Sequence, residues 1–396
     1  MAVSLAIIFM LGIIAHQLFT RLKLPGFLGI LLLGMIIGPY GADWIDGTIL
    51  MLSEDLRRIA LIIILLRAGL GLNMMTLKMV GAPAVKLGFI PVILEGTAIM
   101  LAASYIFGIS TIEAGMLGFI IAAVSPAVIV PKMLHYMEIG KGADKGIPAM
   151  ILAGASLDDV VAITIFSAFA GYYTGAQVNV ASQILLIPLS VLTGIAVGVI
   201  TGLLLVLLFR KFSIRHTKKT LVLLATAIFI TSLENILQDI IPLASLLGVM
   251  VTGFVILEKW PGLGMEISAR LSKIWVFAEI LLFFLVGAEV NYMLAGQAGL
   301  TGVAVIFGGL AVRSLGVLIS LHKTGLTLKE KAFCITAYSP KATVQAAIGS
   351  VPLMLGVPAG ELIMIMAVLS IIITAPLGSI AMSLSGKKYL AKNSPQ

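Results

Sequence analysis

Cysteine, histidine and charge are all scarce in this 396-residue chain. The single cysteine, Cys334, excludes an internal disulfide. The histidines His16, His135, His216 and His322 are scattered without ligand spacing, so neither a metal centre nor a cysteine nucleophile is supported. Charged residues make up 11% of the chain, against about a quarter in an average soluble domain. Long polar stretches are missing as well, since the longest, Arg210 to Lys219, reads as a connecting loop and not as a soluble domain. No basic residue precedes the first apolar run and two follow it, the reverse of a secretory signal, so this run reads as a retained first span.

What is abundant is apolar sequence. Hydrophobic residues account for 60% of the chain and the mean hydropathy is +1.14. Apolar runs of about twenty residues, the length that crosses a bilayer, recur from end to end. Thirteen can be drawn, at roughly 2–20, 25–40, 56–73, 80–107, 113–134, 147–172, 182–209, 220–240, 242–257, 271–289, 297–321, 331–355 and 361–384. The expectation is an all-α membrane protein of about 13 transmembrane helices, a single integral membrane unit over residues 1–396. The net charge of +8 does not point to nucleic acid, because of where the positive residues sit. Twenty of the 26 Lys and Arg follow odd-numbered runs, among them Arg21, Lys23, the cluster Arg210 to Lys219, and the tail residues Lys387, Lys388 and Lys392. Only Arg57 and Arg58 lie on the opposite side, while Arg67, Lys86, Arg313 and Lys341 fall within runs. This positive-inside pattern predicts an N-terminus outside and a C-terminus in the cytoplasm, in the cell membrane.

Two of the runs carry matched interruptions. AAVSPAVIVPKML at 122–134 and ITAYSPKATVQAA at 335–347 each place Ser-Pro in mid-membrane, Ser125-Pro126 and Ser339-Pro340, and the first adds Pro131. Proline removes a backbone donor and clashes with the preceding turn, so each run is expected to be a broken helix with bare N–H and C=O groups at the break. Matched broken helices in two halves of one chain are the sequence pointer to the substrate site of a secondary transporter. The repeat extends further. LLRAGLGLNMM at 65–75 aligns with FFLVGAEVNYM at 283–293, sharing Gly69/Gly287, Asn73/Asn291 and Met75/Met293 at an offset of 218. The Ser-Pro pair is offset by 214, and GMIIG ending at Gly38 matches VMVTG ending at Gly253 at 215. The repeat advances seven runs, an odd number, so the second unit is expected upside down relative to the first.

A charge at the bilayer centre costs about 3 kcal/mol, so each intramembrane ionisable residue needs a partner or water. Asp158 and Asp159, in ILAGASLDDVVAITIF, sit midway along the sixth run. Adjacent helical residues point about 100° apart, so one carboxylate can face an aqueous cavity while the other turns toward a packed helix. Two acids this close cannot both ionise freely in a poor dielectric. A carboxylate that trades a proton for a small hard cation is the minimum equipment for cation/proton exchange; the bland alternative is a structural, permanently protonated pair. Arg313 must be charged and sits mid-way along the run that corresponds in the repeat to the run of Glu95, which suggests a Glu95–Arg313 clamp; the alternative is that each finds backbone carbonyls or water. Lys341 follows Pro340 directly, where a cation offsets the negative ends of half-helices. Ser125 either offers its hydroxyl and carbonyl to an ion or is an ordinary break residue.

At these residues the chain resembles the cation/proton antiporter superfamily of the NhaA fold, and within it the sodium/proton antiporters of the NapA and NHA type. LLRAGLGLN, ILEG, AVSPAVIVP, GASLDDVVAIT, the arginine of LAVRSLG and SPKATVQAAIGS carry the resemblance, in the right order over most of the chain. The resemblance implies an NhaA-like fold with two crossed discontinuous helices. It implies a core domain over approximately 56–172 and 271–384 and a dimerisation scaffold over approximately 1–55 and 182–257. It implies Asp159 as the main carrier of Na+ or Li+ and of the proton, Asp158 as its neighbour, Glu95 and Arg313 as a buried pair, and Lys341 as a core cation. Other Asp-Asp members carry a lysine where Arg313 stands, so one-for-one, electroneutral exchange is expected. No cofactor is implied beyond the transported ions; membrane lipid and a second copy of the chain, in a homodimer, are the expected partners. A K+/H+ antiporter of the same superfamily is one rival, though such chains usually add a soluble regulatory domain. A sodium-coupled solute symporter of similar fold would need no adjacent acid pair. An intramembrane aspartyl protease, the enzyme rival, needs aspartates facing each other from different helices, which neighbours cannot do.

Overall fold

The computed structural model describes residues 1–22, 26–72, 74–174, 180–212, 215–237, 242–290 and 299–391. Asn73, Asn291 and Met293 of the repeat, with Lys23 and Lys392 of the charge pattern, lie outside the described residues. Among the described residues the regular elements are helices: α1 (Ala2–Arg21), α2 (Gly26–Ile37), α3 (Gly47–Met51), α4 (Ser53–Gly69), α5 (Met74–Phe107), α6 (Thr111–Ala122), α7 (Pro126–Glu138), α8 (Ile147–Tyr173) and α9 (Val180–Lys211). There follow α10 (His216–Leu237), α11 (Ser245–Lys259), α12 (Pro261–Ala288), α13 (Gly299–Ser320), α14 (Leu328–Ala337), α15 (Thr343–Ile348), α16 (Val351–Met354) and α17 (Gly360–Tyr389). Eight segments among these residues have the length and apolarity to cross a bilayer, including Thr111–Glu138, which holds α6 and α7. The chain is an integral membrane protein.

Both Ser-Pro motifs interrupt their helices. Ser110 and Glu113 form a capping box at the start of α6, which stops at Ala122. Pro126 then opens α7 in the first turn, where its missing N–H is not needed for a helical bond. Pro131 lies inside α7, and the helix continues through it. In the second half Thr327 and Glu330 form the matching capping box for α14, which stops at Ala337. Ser339 and Pro340 fall in the following interruption, and the chain regains helix at Thr343. The two interruptions touch, because the Ser125 N–H donates to Pro340 O at 2.9 Å.

Glycine sets the other helix contacts, as expected where lipid supplies no hydrophobic drive and backbones must come close to gain packing. A Cβ at Gly34 of α2 would stand 2.1 Å from Phe284 O of α12, and one at Gly287 of α12 would stand 2.0 Å from Leu31 O of α2. The same arrangement recurs between α4 and α11, where a Cβ at Gly69 would meet Met250 O at 1.9 Å and one at Gly253 would meet Leu66 O at 2.7 Å. Gly69 and Gly287 are repeat mates, so each half lends its glycine to a helix of the other. On α13, Gly309 and Gly316 flank Arg313 along one face and close on Ile99 and Pro91 of α5. That packing carries Arg313 to the level of Glu95.

Candidate functional site

The site is built from the C-terminal end of α6, the second interruption, and the middles of α5, α8 and α13. Helix ends leave carbonyls without partners, and at mid-membrane depth these need cations or donors. Here both cations converge on one of them: Arg313 Nη1 lies 2.6 Å from Ala122 O and Lys341 Nζ 2.9 Å from it. The same two groups share Glu95, whose Oε2 is 2.6 Å from Arg313 Nη1 and 2.7 Å from Lys341 Nζ. The other arm of the guanidinium, Nη2, reaches Asp158 Oδ1 at 2.6 Å, and Asp158 Oδ2 accepts the Val124 N–H of the first break at 3.1 Å. The Tyr338 ring lies over the guanidinium, 5.4 Å from Cζ to ring centroid. All of these charged groups are buried.

Glu95 and Arg313 therefore meet, but Arg313 does more than close one pair. Its planar fork bridges Glu95 and Asp158, a geometry that a point-like ammonium does not reproduce. Lys341 is held by Glu95 and by the α6 terminus, as a cation at a broken helix should be. The Asp pair is split in the way that neighbouring helical residues permit: Asp158 is 0% exposed and fully engaged, whereas Asp159 is 8% exposed and its Oδ1 has no hydrogen-bond partner. Ser125 Oγ is likewise buried without a partner.

The structure adds polar contacts that the sequence reading does not anticipate. Gln345 donates its amide to Ile120 O at 2.9 Å, Ala123 O at 2.8 Å and Ile121 O at 3.3 Å, covering the remaining carbonyls around the first break. The signal was an uncharged polar side chain deep in an apolar run, which is costly unless bonded. Thr374 accepts the Lys341 backbone N–H at 2.9 Å. The capping boxes were legible as Ser-x-x-Glu at 110–113 and Thr-x-x-Glu at 327–330. Their glutamates tie the halves together: Glu113 accepts from Ala359 N–H, just before α17, at 3.1 Å, and Glu330 from Lys145, just before α8, at 2.8 Å.

Residues 5–384 match the family model described as "Sodium/hydrogen exchanger, transmembrane". The chain belongs to the sodium/hydrogen exchanger family. Among curated relatives, sodium/hydrogen exchanger 9B2 of Homo sapiens is 34% identical over 414 aligned residues, which cover 98% of this chain and 75% of that protein. Sodium/hydrogen exchanger 9B1 of Homo sapiens is 32% identical over 413, covering 98% and 78%. Among solved structures, the sodium proton antiporter MjNhaP1 of Methanocaldococcus jannaschii superposes with a TM-score of 0.79 at 17% identity, covering 99% of this chain and 98% of that one. A second structure of the same protein, at pH 8, gives 0.74 at 19% identity, covering 97% and 94%. The motifs thus led to the right superfamily, and the fold is NhaA-like.

Proposed function

We propose that this family member exchanges Na+ or Li+ for H+ across the membrane, with Asp159 as the shared cation and proton site. The observation that carries the reading is the charge inventory at the breaks. Two cationic side chains, Arg313 and Lys341, face three acids, Glu95, Asp158 and Asp159. Glu95 and Asp158 are matched by the two cations, which leaves Asp159 as the acid without a counter-charge. A buried carboxylate in that position needs one positive charge, and a proton or a monovalent cation supplies it equally well. Binding one releases the other. Ser125, with a buried hydroxyl that lacks a partner, is the proposed neutral oxygen ligand beside it.

The architecture we assign to this activity is the finer one expected above: thirteen crossings, an inverted-topology repeat, and the two broken helices crossing at Ser125 and Pro340. Support comes from the Ser125–Pro340 hydrogen bond, the reciprocal glycine contacts and the paired capping boxes. In this reading the core, approximately 56–172 and 271–384, moves against a scaffold of approximately 1–55 and 182–257 and exposes Asp159 to each face in turn. The N-terminus lies outside, the C-terminus in the cytoplasm of the cell membrane, and the scaffold pairs two copies. The test is exchange in liposomes with an imposed pH gradient, following a pH dye as Na+, Li+ or K+ is added. Wild-type protein should respond to Na+ and Li+. A response to K+ alone points to the potassium-exchange reading, and normal exchange by a correctly inserted Asp159→Asn protein sinks the assignment of the site.

A further inference from the structure

Among the described residues, the buried side-chain polar atoms that lack a hydrogen-bond partner are Glu95 Oε1, Ser125 Oγ, Asp159 Oδ1, Arg313 Nε, Thr343 Oγ1 and Gln345 Oε1. All of them belong to the breaks or to the charged cluster beside them. Asp159 and Ser125 are accounted for by the proposed cation site. Gln345 is not, and its geometry is the most constrained of the remainder.

The Gln345 amide cannot turn over. Its nitrogen faces the carbonyls of Ile120, Ile121 and Ala123, so exchanging nitrogen for oxygen would set an oxygen against three others. The oxygen is therefore fixed away from those carbonyls, and it is left without a donor. Gln345 is 1% exposed, yet it lies in the wall of a cavity of about 350 Å³. Tyr40, Glu289, Ala346, Gly349 and Met364 share that wall. The acid is restrained, with Glu289 Oε1 2.8 Å from Arg57 Nη2 and 2.7 Å from Ser53 Oγ. On the proposed orientation the cavity opens to the outer side. Small hard cations are held by oxygen ligands and must exchange water oxygens for protein oxygens to enter a site. A neutral amide oxygen adds a ligand without disturbing the balance of charges that leaves Asp159 free to exchange.

We propose that Gln345 is a cation ligand and a selectivity residue on the outer side of the site: its amide oxygen replaces a water oxygen of the incoming Na+ or Li+ before Asp159 takes the ion. The inference rests on the exchange reading above. The same amide braces the α6 terminus, so its test must separate ligation from bracing. Purified full-length wild type, Gln345→Leu and Asp159→Asn are compared in two ways: the half-saturating Na+, Li+ and K+ concentrations for exchange in liposomes, and thermal stabilisation in detergent as each cation replaces choline. Loss of a ligand should raise the Na+ and Li+ half-saturation of Gln345→Leu by about tenfold in both measurements, with less change for K+, so that the preference for small ions narrows. A Gln345→Leu protein with reduced maximal rate but unchanged half-saturation and unchanged ion order would show a brace and overturn the inference. If Gln345→Leu does not fold, Gln345→Asn is judged by the same criterion, because its shorter arm cannot hold the carbonyls and the cation together. Absence of any cation response in wild type overturns the exchange reading and this inference with it; a normal wild-type response with Gln345 variants like wild type overturns this inference alone.

Discussion

Arg313 holds two carboxylates and a helix terminus at once, and its substitution separates geometry from charge. Arg313→Lys keeps the charge, but one ammonium cannot reproduce contacts of 2.6 Å to Glu95, Asp158 and Ala122 O from two arms of a fork. It should lower thermal stability in detergent nearly as far as Arg313→Gln. For the neutral variants, removing one partner of a buried pair typically costs about 3–5 kcal/mol, while removing both is milder. In the cycle Glu95→Gln, Arg313→Gln and the double variant, a coupling of at least about 1 kcal/mol is expected. Strictly additive losses would mean that the 2.6 Å contact contributes nothing. The two aspartates should part company as well. Asp159→Asn keeps the shape, loses the exchangeable charge and should abolish cation-dependent proton movement. Asp158→Asn removes a partner from Arg313 and should leave a weakened exchanger that melts at a lower temperature.

At the level of helices, the breaks were legible because proline writes its effect into the local chain: it lacks a donor, and the missing turn must fall beside it. Pro131 shows the limit of that signal, since α7 runs on through it in the helix interior while the interruption stays at 123–125. Glu95 and Arg313 were legible as a pair because unpaired charge at that depth is costly and few partners are available. The bridge to Asp158 was not, because which of three acids a guanidinium reaches depends on how α13 rotates against α5, and that is set by close contacts at Gly309 and Gly316. Sequence spacing carries no information about rotation. The glycine contacts give their own prediction. Gly34→Ala would put a methyl 2.1 Å from Phe284 O, and Gly69→Ala one 1.9 Å from Met250 O, so in both cases two backbones must separate. Each should destabilise by about 1–3 kcal/mol or more. Gly47→Ala on α3, where a Cβ meets nothing within 4 Å, is the control and should melt like wild type.

For the molecule as a whole, the proposed one-for-one balance has an electrical consequence. If Asp159 alone changes occupant, the loaded and protonated cores carry the same charge and the membrane potential does no work on the cycle. In liposomes clamped by potassium and valinomycin, with sodium or lithium as substrate, the sodium reversal point should stay fixed across potentials. A reversal point that moves with voltage would show a second proton and turn attention to Lys341. Competition sets the pH response. Raising the pH removes the competing proton, so while Asp159 remains mostly protonated the half-saturating sodium concentration should fall by roughly tenfold per pH unit. A half-saturation independent of pH would mean that proton and cation occupy different sites.

The distance along the chain between partners also shapes how this protein is made. Glu95 precedes Arg313 by 218 residues, and Asp158 precedes it by 155. At ordinary translation rates of about 5–20 residues per second, roughly 10–45 s pass between synthesis of Glu95 and arrival of its guanidinium. From the synthesis of Asp159 until Arg313 arrives, the first half of the exchanger holds three mid-membrane acids and neither of the cations that will match them. It must wait at the insertion site with those carboxyls neutral or wetted, and the ribosome completes the second half before either can settle.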